Sequence, residues 1–454
     1  MILTRARSVI VSICAIARDI VPEARRKTGS RRLAPLDGCP TRRSCDHVPV
    51  STVVVILPTG TYRAGDFVEA GRSLGVDLII ASEERHALLG EGGFIPIDCA
   101  DPRRSAAAIV EAGDRHPIDA VIPVDDAGVM IAAIASEELG LTHNPPAAVA
   151  ATRNKAILRK VLEEREVPQP SYELAAPSSD TVALAEVVGT PVVIKPLSLS
   201  ASRGVIRVDH PLQVPPVVER IRRILAVAGQ NPNEPILIER YIPGKEIALE
   251  GLLFEGALDV LALFDKPEPM EGPYFAETML VTPSRLHPEI LEEVETVTAR
   301  AVRALGLREG PIHAELRVDG NRVAIIEVAA RSIGGLCGRS LHFGLLGATL
   351  ENLLLRHALG MHTNTRREDI ASGVLMIPVP SAGTLQAVNG LGAARAVPRI
   401  TEIAVTIPLG TYVIPLPDGA RYLGFLFAKA DTPLEVETSL VAARNELEIV
   451  IIAD

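Results

Sequence analysis

The sequence predicts an α/β protein with a Rossmann-like parallel-sheet domain at the front and a small α+β domain at the end. Three observations predict it. Unbroken apolar runs alternate with helical stretches between residues 52 and 126, the pattern of βαβ units on a parallel sheet. Residues 372–452 are rich in Val, Ile, Pro and Gly, in short alternating runs. The 454 residues are 47% hydrophobic and 22% charged, enough for large packed cores and about three domains.

Taken in order, TVVVILPTG (Thr52 to Gly60) is β-branched and ends in turn residues, as a buried parallel strand does. A helix over Asp66 to Leu74 leads to a second strand in Gly75 to Ser82 and a third in Phe94 to Asp98. A helix with Ala106, Ile109 and Val110 on one face precedes a fourth, Asp119 to Asp126. No G-x-G-x-x-G follows the first strand, so a dinucleotide site is not indicated. Pro145 to Leu162 reads as one long amphipathic helix with Pro near its start. PVVIKP (Pro191 to Pro196) is a strand, followed by the small-residue loop Ser198 to Gly204 and a helix over Val217 to Val227. Glu234 to Gly256 reads as strand, turn, strand; 288–306 as a helix; Pro311 to Arg331 as two strands around Asp319-Gly320-Asn321; Gly347 to Gly360 as a helix with a Gly stop. Residues 361–371 are a charged boundary, and the last segment holds a helix, Leu434 to Leu447, and a final strand, Glu448 to Ile452.

Net charge is −10 and aromatics are 3%, with no Trp, which disfavours phosphate-backbone binding and base stacking. No apolar run approaches a membrane span. Residues 1–50 carry ten Arg/Lys against four Asp/Glu and three of the five cysteines, Cys14, Cys39 and Cys45. They read as a basic, disordered extension outside the fold. A signal-peptide-like reading competes, from Arg5 and Arg7 before the apolar run Ser8 to Ala17, as does an Arg-rich presequence. The spacing of Cys39, Cys45 and His47 matches no common zinc pattern.

Four constellations carry chemistry. Lys155 on a helix and Lys195 on a strand can neutralise phosphates from two sides, and Lys195 is delivered straight to a loop whose small residues let backbone N–H groups approach an anion. Glu239, Arg240, Tyr241 and Ile242 end one strand and Glu246 starts the next; an acid with exposed backbone suits an adenine amino group, and a second acid suits ribose hydroxyls. Glu315 and Glu327 sit on neighbouring strands of a hairpin, where paired carboxylates can hold Mg²⁺ and where burial is costly without a cation. Arg331 follows four residues later, beside Gly334 and Gly335, placed to bind a carboxylate, an acyl phosphate or a developing oxyanion.

This set resembles the ATP-grasp superfamily over roughly residues 52–360. TYRAGDFVEAGRSLG, FDKPEPMEGPYFAETMLVTPSRL and EVAARSIGGLCGRSL resemble its L-amino-acid ligase (carboxylate–amine ligase) branch, and residues 372–452 resemble that branch's C-terminal domain. The resemblance implies an ATP-grasp fold, divided as an extension at 1–50, a pre-ATP-grasp domain at 51–145, the ATP-grasp domain at 146–362 and the C-terminal domain at 363–454. It implies an ADP-forming ligase that joins a small-molecule carboxylate to an amine, both amino acids, through an acyl phosphate. ATP would be the cosubstrate and Mg²⁺ or Mn²⁺ the metal. Lys155, Lys195, Ser202 and Gly204 would bind the ATP phosphates. Glu239, Arg240, Tyr241, Ile242 and Glu246 would line the adenosine pocket, and Glu315 and Glu327 would ligate the metal. Arg331 would steady the acyl phosphate, Glu277 would hold the substrate amino group, and Gly334 and Gly335 would form the substrate loop. It also implies a cytoplasmic enzyme, a homodimer as in relatives, with neither nucleic acid nor membrane as partner. Carboxylases, purine-ribotide ligases and a non-catalytic nucleotide-binding regulator are the alternatives. Two departures stand out. Many relatives have Asn two residues after the second metal Glu, where this chain has Ala329, and the phosphate loop has one Gly where relatives show several.

Overall fold

The structure is a computed structural model that describes residues 50–85 and 93–453. The expectations for the basic extension and its cysteines lie outside the described residues. The first sheet is parallel, in the order Gly93–Pro96, Asp77–Ser82, Thr52–Ile56, Ala120–Pro123. Val53 to Ile56 are all fully buried, because helices cover both faces of the sheet and leave no polar alternation to keep. One of those helices, Val129–Leu139, escapes the periodicity reading: it buries Val129, Ile131, Ala132, Ala133, Ala135 and Ser136, so it is apolar nearly all round.

The expected single helix from Pro145 to Leu162 is two helices, Pro146–Arg153 and Lys155–Glu164. Asn154 breaks it. Its backbone is extended and its side chain accepts from the N–H groups of Ala156 and Ile157, the cap that Asn prefers to a helix interior. The break places Lys155 in the first turn of a new helix.

A second, antiparallel sheet runs Tyr172–Ala175, Ile236–Arg240, Val192–Pro196, Ile206–Val208. Helices Thr181–Val188 and Val214–Val227 cover one face, against Val192, Ile194, Ile236 and Ile238. The period of two then turns Lys195 and Glu239 to the other face.

A third sheet has eight strands, in the order Arg322–Ala329, Gly310–Asp319, Lys245–Phe254, Ala257–Asp265, Met279–Thr282, Ala371–Ile377, Gly424–Ala430, Ile400–Val405. The helix Pro288–Leu305 packs Val294, Val297, Ala301 and Val302 onto it. This sheet runs without interruption across residue 363: Met279–Thr282 pairs with Ala371–Ile377. The C-terminal segment thus extends the central sheet. It adds a small sheet, Tyr412–Val413, Gly383–Asn389, Glu448–Ile452, and the helix Pro433–Asn445, closed by a capping box on Thr432 and Glu435. The strand-turn-strand expected at Glu234 to Gly256 is present, but its strands belong to different sheets, so residues 241–244 are the crossover between them. No helix among the described residues is long and apolar enough to cross a membrane.

Candidate functional site

A cavity of about 470 Å³ opens between the second and third sheets, and every expected site residue except Gly204 lines it. The two lysines approach from separate elements. The Lys155 ammonium donates to the carbonyl of Leu199 at 2.8 Å and lies 3.6 Å from Glu327. Lys195 pairs with Glu239 at 2.7 Å, and the other oxygen of Glu239 takes Arg159 Nε at 2.6 Å. Burial by itself would raise the Glu239 carboxyl; Arg159 and then Lys195 pull it down to about 2. Both its oxygens are therefore occupied, and Glu239 meets the cavity through Lys195.

The loop 198–204 folds back on itself. Ala201 and Ser202 adopt left-handed backbone (φ 57° and 54°), as does Gly204 (φ 72°). Non-glycine residues held there cost of order 1–3 kcal/mol each and cluster at ligand clamps; Ser202 faces the cavity. Gly204 contributes conformation, because its N–H is already spent on the carbonyl of Pro417. Arg203 Nε donates to the carbonyl of Asp418, and Arg220 pairs with the Asp418 carboxylate at 2.5 Å. A turn of the C-terminal segment is thus tied to the loop.

At the crossover, Tyr241 stacks on Phe275 with centroids 6.5 Å apart, and Arg207 lies over the Tyr241 ring at 4.2 Å. The Arg240 side chain leaves toward Gly189, so its backbone is what faces the cavity. Glu246 was expected at ribose hydroxyls. Its carboxylate is held by Lys266 at 2.6 Å and Arg317 at 2.9 Å.

Glu315 and Glu327 are directly opposed in register, at a bulge, so they share one face. Their side chains keep 23% and 29% exposure. The burial cost inferred from the apolar strands is therefore reduced by open access to the cavity. Oxygen donors in this arrangement suit a hard divalent cation.

Arg331 donates to Asp126 at 2.9 Å, and Asp126 also meets Arg153 at 3.1 Å. Burial opposes ionisation of Asp126, but Arg331 and Arg153 hold its carboxyl well below the usual range. The loop after Arg331 is fastened from two sides. Ile333 N–H donates to both oxygens of the fully buried Glu250 at 3.0 Å, and Arg63 donates to Ser332 Oγ and the Ile333 carbonyl. Gly335 has φ +60°, and a Cβ there would come within 2.9 Å of Phe425, so only glycine fits. Cys337 is packing: it is buried, its sulfur lies 3.7 Å from Met376 Sδ, and burial pushes its thiol up.

Glu277 meets Lys266. Sequence reading missed Lys266, Arg159, Asp126, Arg63 and Glu250 as site-builders. Two signals were present: Arg63 in the TYRAGDFVEAGRSLG motif, and the KP pair in FDKPEP, which follows a strand (Ala257–Asp265) that periodicity did not resolve.

Three families match the chain in sequence: the ATP-grasp N-terminal domain over residues 68–143, the ATP-grasp domain over 188–340 and the L-amino acid ligase C-terminal domain 2 over 375–451. Mouse carnosine synthase 1 is 26% identical over 73% of this chain and 42% of its own length. Alanine–anticapsin ligase of Bacillus subtilis (strain 168) is 26% identical over 50% of this chain and 51% of its own. The chain therefore spans about half the length of these curated relatives. The crystal structure of L-amino acid ligase from Bacillus licheniformis superposes with a TM-score of 0.73 at 23% identity, covering 88% of this chain and 99% of that one, which establishes the shared fold. With three such domains following one another around this cavity, the chain belongs to the ATP-grasp superfamily and carries the C-terminal domain of its L-amino acid ligases.

Proposed function

We propose that the chain is an ATP-dependent carboxylate–amine ligase that joins amino acids into a dipeptide or related amide, releasing ADP and phosphate. It would act in the cytoplasm, and as a homodimer like its relatives. The observation that supports this best is the facing pair Glu315 and Glu327, with Lys155 and Lys195 across the same cavity and Arg331 and Glu277 beside it.

In this reading the carboxylate oxygen of the first substrate attacks the γ-phosphorus of ATP. The bond to the β–γ bridging oxygen breaks, and ADP leaves. Lys155 and Lys195 neutralise the phosphates from two sides, and free N–H groups of the loop 198–204 add donors. Glu315 and Glu327 would hold Mg²⁺ or Mn²⁺, which supplies charge neutralisation when bound. Arg331, kept cationic and aimed by Asp126, stabilises the acyl phosphate and the oxyanion formed as the amine attacks its carbonyl. Glu277 holds the ammonium of the first amino acid. The amine nitrogen forms the new C–N bond and gives up a proton to solvent, and phosphate leaves with the acyl-phosphate oxygen.

The test is ADP release by the full chain with ATP and Mg²⁺ against single and paired amino acids, with products identified by mass. Release that requires amino acids and yields a coupled amide is expected. ATP binding with no amino-acid-dependent ADP would overturn the reading.

The turn at Asp418 adds a prediction. Asp418→Ala removes its ion pair with Arg220, but both partners are more than a third exposed, so screening discounts it. The KM for ATP should rise about threefold to tenfold with kcat nearly unchanged, as steady-state kinetics will read, since the loop remains intact and only its tether loosens. An unchanged KM would show that the tether does not hold the loop.

A further inference from the structure

Lys266 follows directly on the strand Ala257–Asp265, and its side chain is 2% exposed. Three carboxylates from three separate segments converge on its ammonium: Glu246 at 2.6 Å, Glu315 at 3.4 Å, and Glu277 in direct contact. One oxygen from each of these acids lies within 4.8 Å of the others. Three converging carboxylates with no amide or hydroxyl among them are the donor set of a divalent-cation site. Three like charges this close repel strongly unless a cation sits between them. Here the cation is part of the chain, an ammonium buried among the three acids.

Glu315 belongs to two arrangements at once. On one side it meets Lys266, on the other it faces Glu327 in register. On the Glu327 strand, Ala329 offers no side-chain oxygen to a further ion. Arg317 also claims Glu246, so the acid triad is matched by two fixed positive charges and is left with about one negative charge.

We propose that Lys266 is a built-in cation that occupies the place of a second divalent ion, so that the site takes one metal ion, between Glu315 and Glu327. This rests on the reading of that pair as metal ligands. Lys266 is a positioning residue: it holds Glu277 toward the substrate and Glu315 toward the metal without an ion that must bind from solution.

The experiment counts Mn²⁺ bound to the full chain in the presence of ADP, by electron paramagnetic resonance of free and bound ion. One Mn²⁺ per chain is expected for the wild type. Lys266→Met should bind two, because the emptied triad becomes a second site. Adding Glu277→Gln to Lys266→Met should return the count to one, and Lys266→Arg, which keeps the charge, should stay at one. Lys266→Gln, which keeps a hydrogen-bond donor and relieves an unfolding risk, is read in parallel and should also bind two. Folding of each variant is checked by circular dichroism. A folded Lys266→Met or Lys266→Gln protein that still binds one ion, or a wild type that binds two, overturns the proposal. The count needs no turnover. A chain with the expected counts that releases no ADP with amino acids would sink the ligase reading alone, and a working ligase with an unchanged count in the variants would sink this one.

Discussion

Lys195→Ala lowers amino-acid-dependent ADP release by about 10²–10³-fold, the typical cost of removing one preorganised charge or donor from a transition state. Lys195 is 6% exposed. Its ammonium is aimed by Glu239, which Arg159 fixes in turn, so the charge is in place before any phosphate arrives. If Lys195 acts mainly where charge develops, kcat falls more than KM rises. A variant that keeps more than a tenth of the turnover would remove Lys195 from the mechanism. The same cluster has a pH signature. Glu239 has a folded value of about 2, below its ordinary 4.5. Its contribution to stability is therefore complete above pH 4.5 and is lost as pH falls through the window toward 2. Denaturant melts of wild type and Glu239→Gln across that window will check this: the difference between them should shrink as pH falls.

Arg63→Ala destabilises the fold by about 3–5 kcal/mol, the usual cost of breaking a buried ion pair by removing one partner. Arg63 and Glu351 are 1% and 2% exposed and 2.6 Å apart. The deletion leaves Glu351 charged and unpaired and removes the donors to Ser332 and Ile333. Denaturant midpoints will read the loss. Since that loop begins at Arg331, residual activity in the surviving folded protein should fall as well. The double variant Arg63→Ala/Glu351→Ala should recover part of the stability, because it removes the orphaned charge as well as its partner. Equal stability of the single and double variants would show that Glu351 was never the cost.

Much of the site could be read in the chain because its signals are local. The turn at Asp319-Gly320-Asn321 puts Glu315 and Glu327 on neighbouring strands of one hairpin, although counting from it sets Glu315 opposite Ile326 and only the bulge beside Leu316 brings Glu327 into register. The period of two in VVIKP puts Lys195 with Val193 on the cavity face of its strand and Val192 and Ile194 on the other. An unbroken run such as TVVVI announces a strand buried on both sides. Where a segment loses its pattern, these readings fail. Val129–Leu139 is apolar all round, so its period vanishes. Asn154 looks like one more residue of a continuous helix until its cap is seen.

The sequence by itself determined the fold class, the order of its parts and many of the residues that line the cavity, since each depends on neighbours a few positions away. Only the tertiary structure decided their partners. Glu239 belongs to Arg159 across 80 positions, Arg331 to Asp126 across 205, and Arg63 to Glu351 across 288. It also decided that Glu246, Glu277 and Glu315 converge on Lys266. The physical reason is that a buried charge must be matched wherever the fold brings an opposite one within reach, and that reach is set by sheet register and chain crossing.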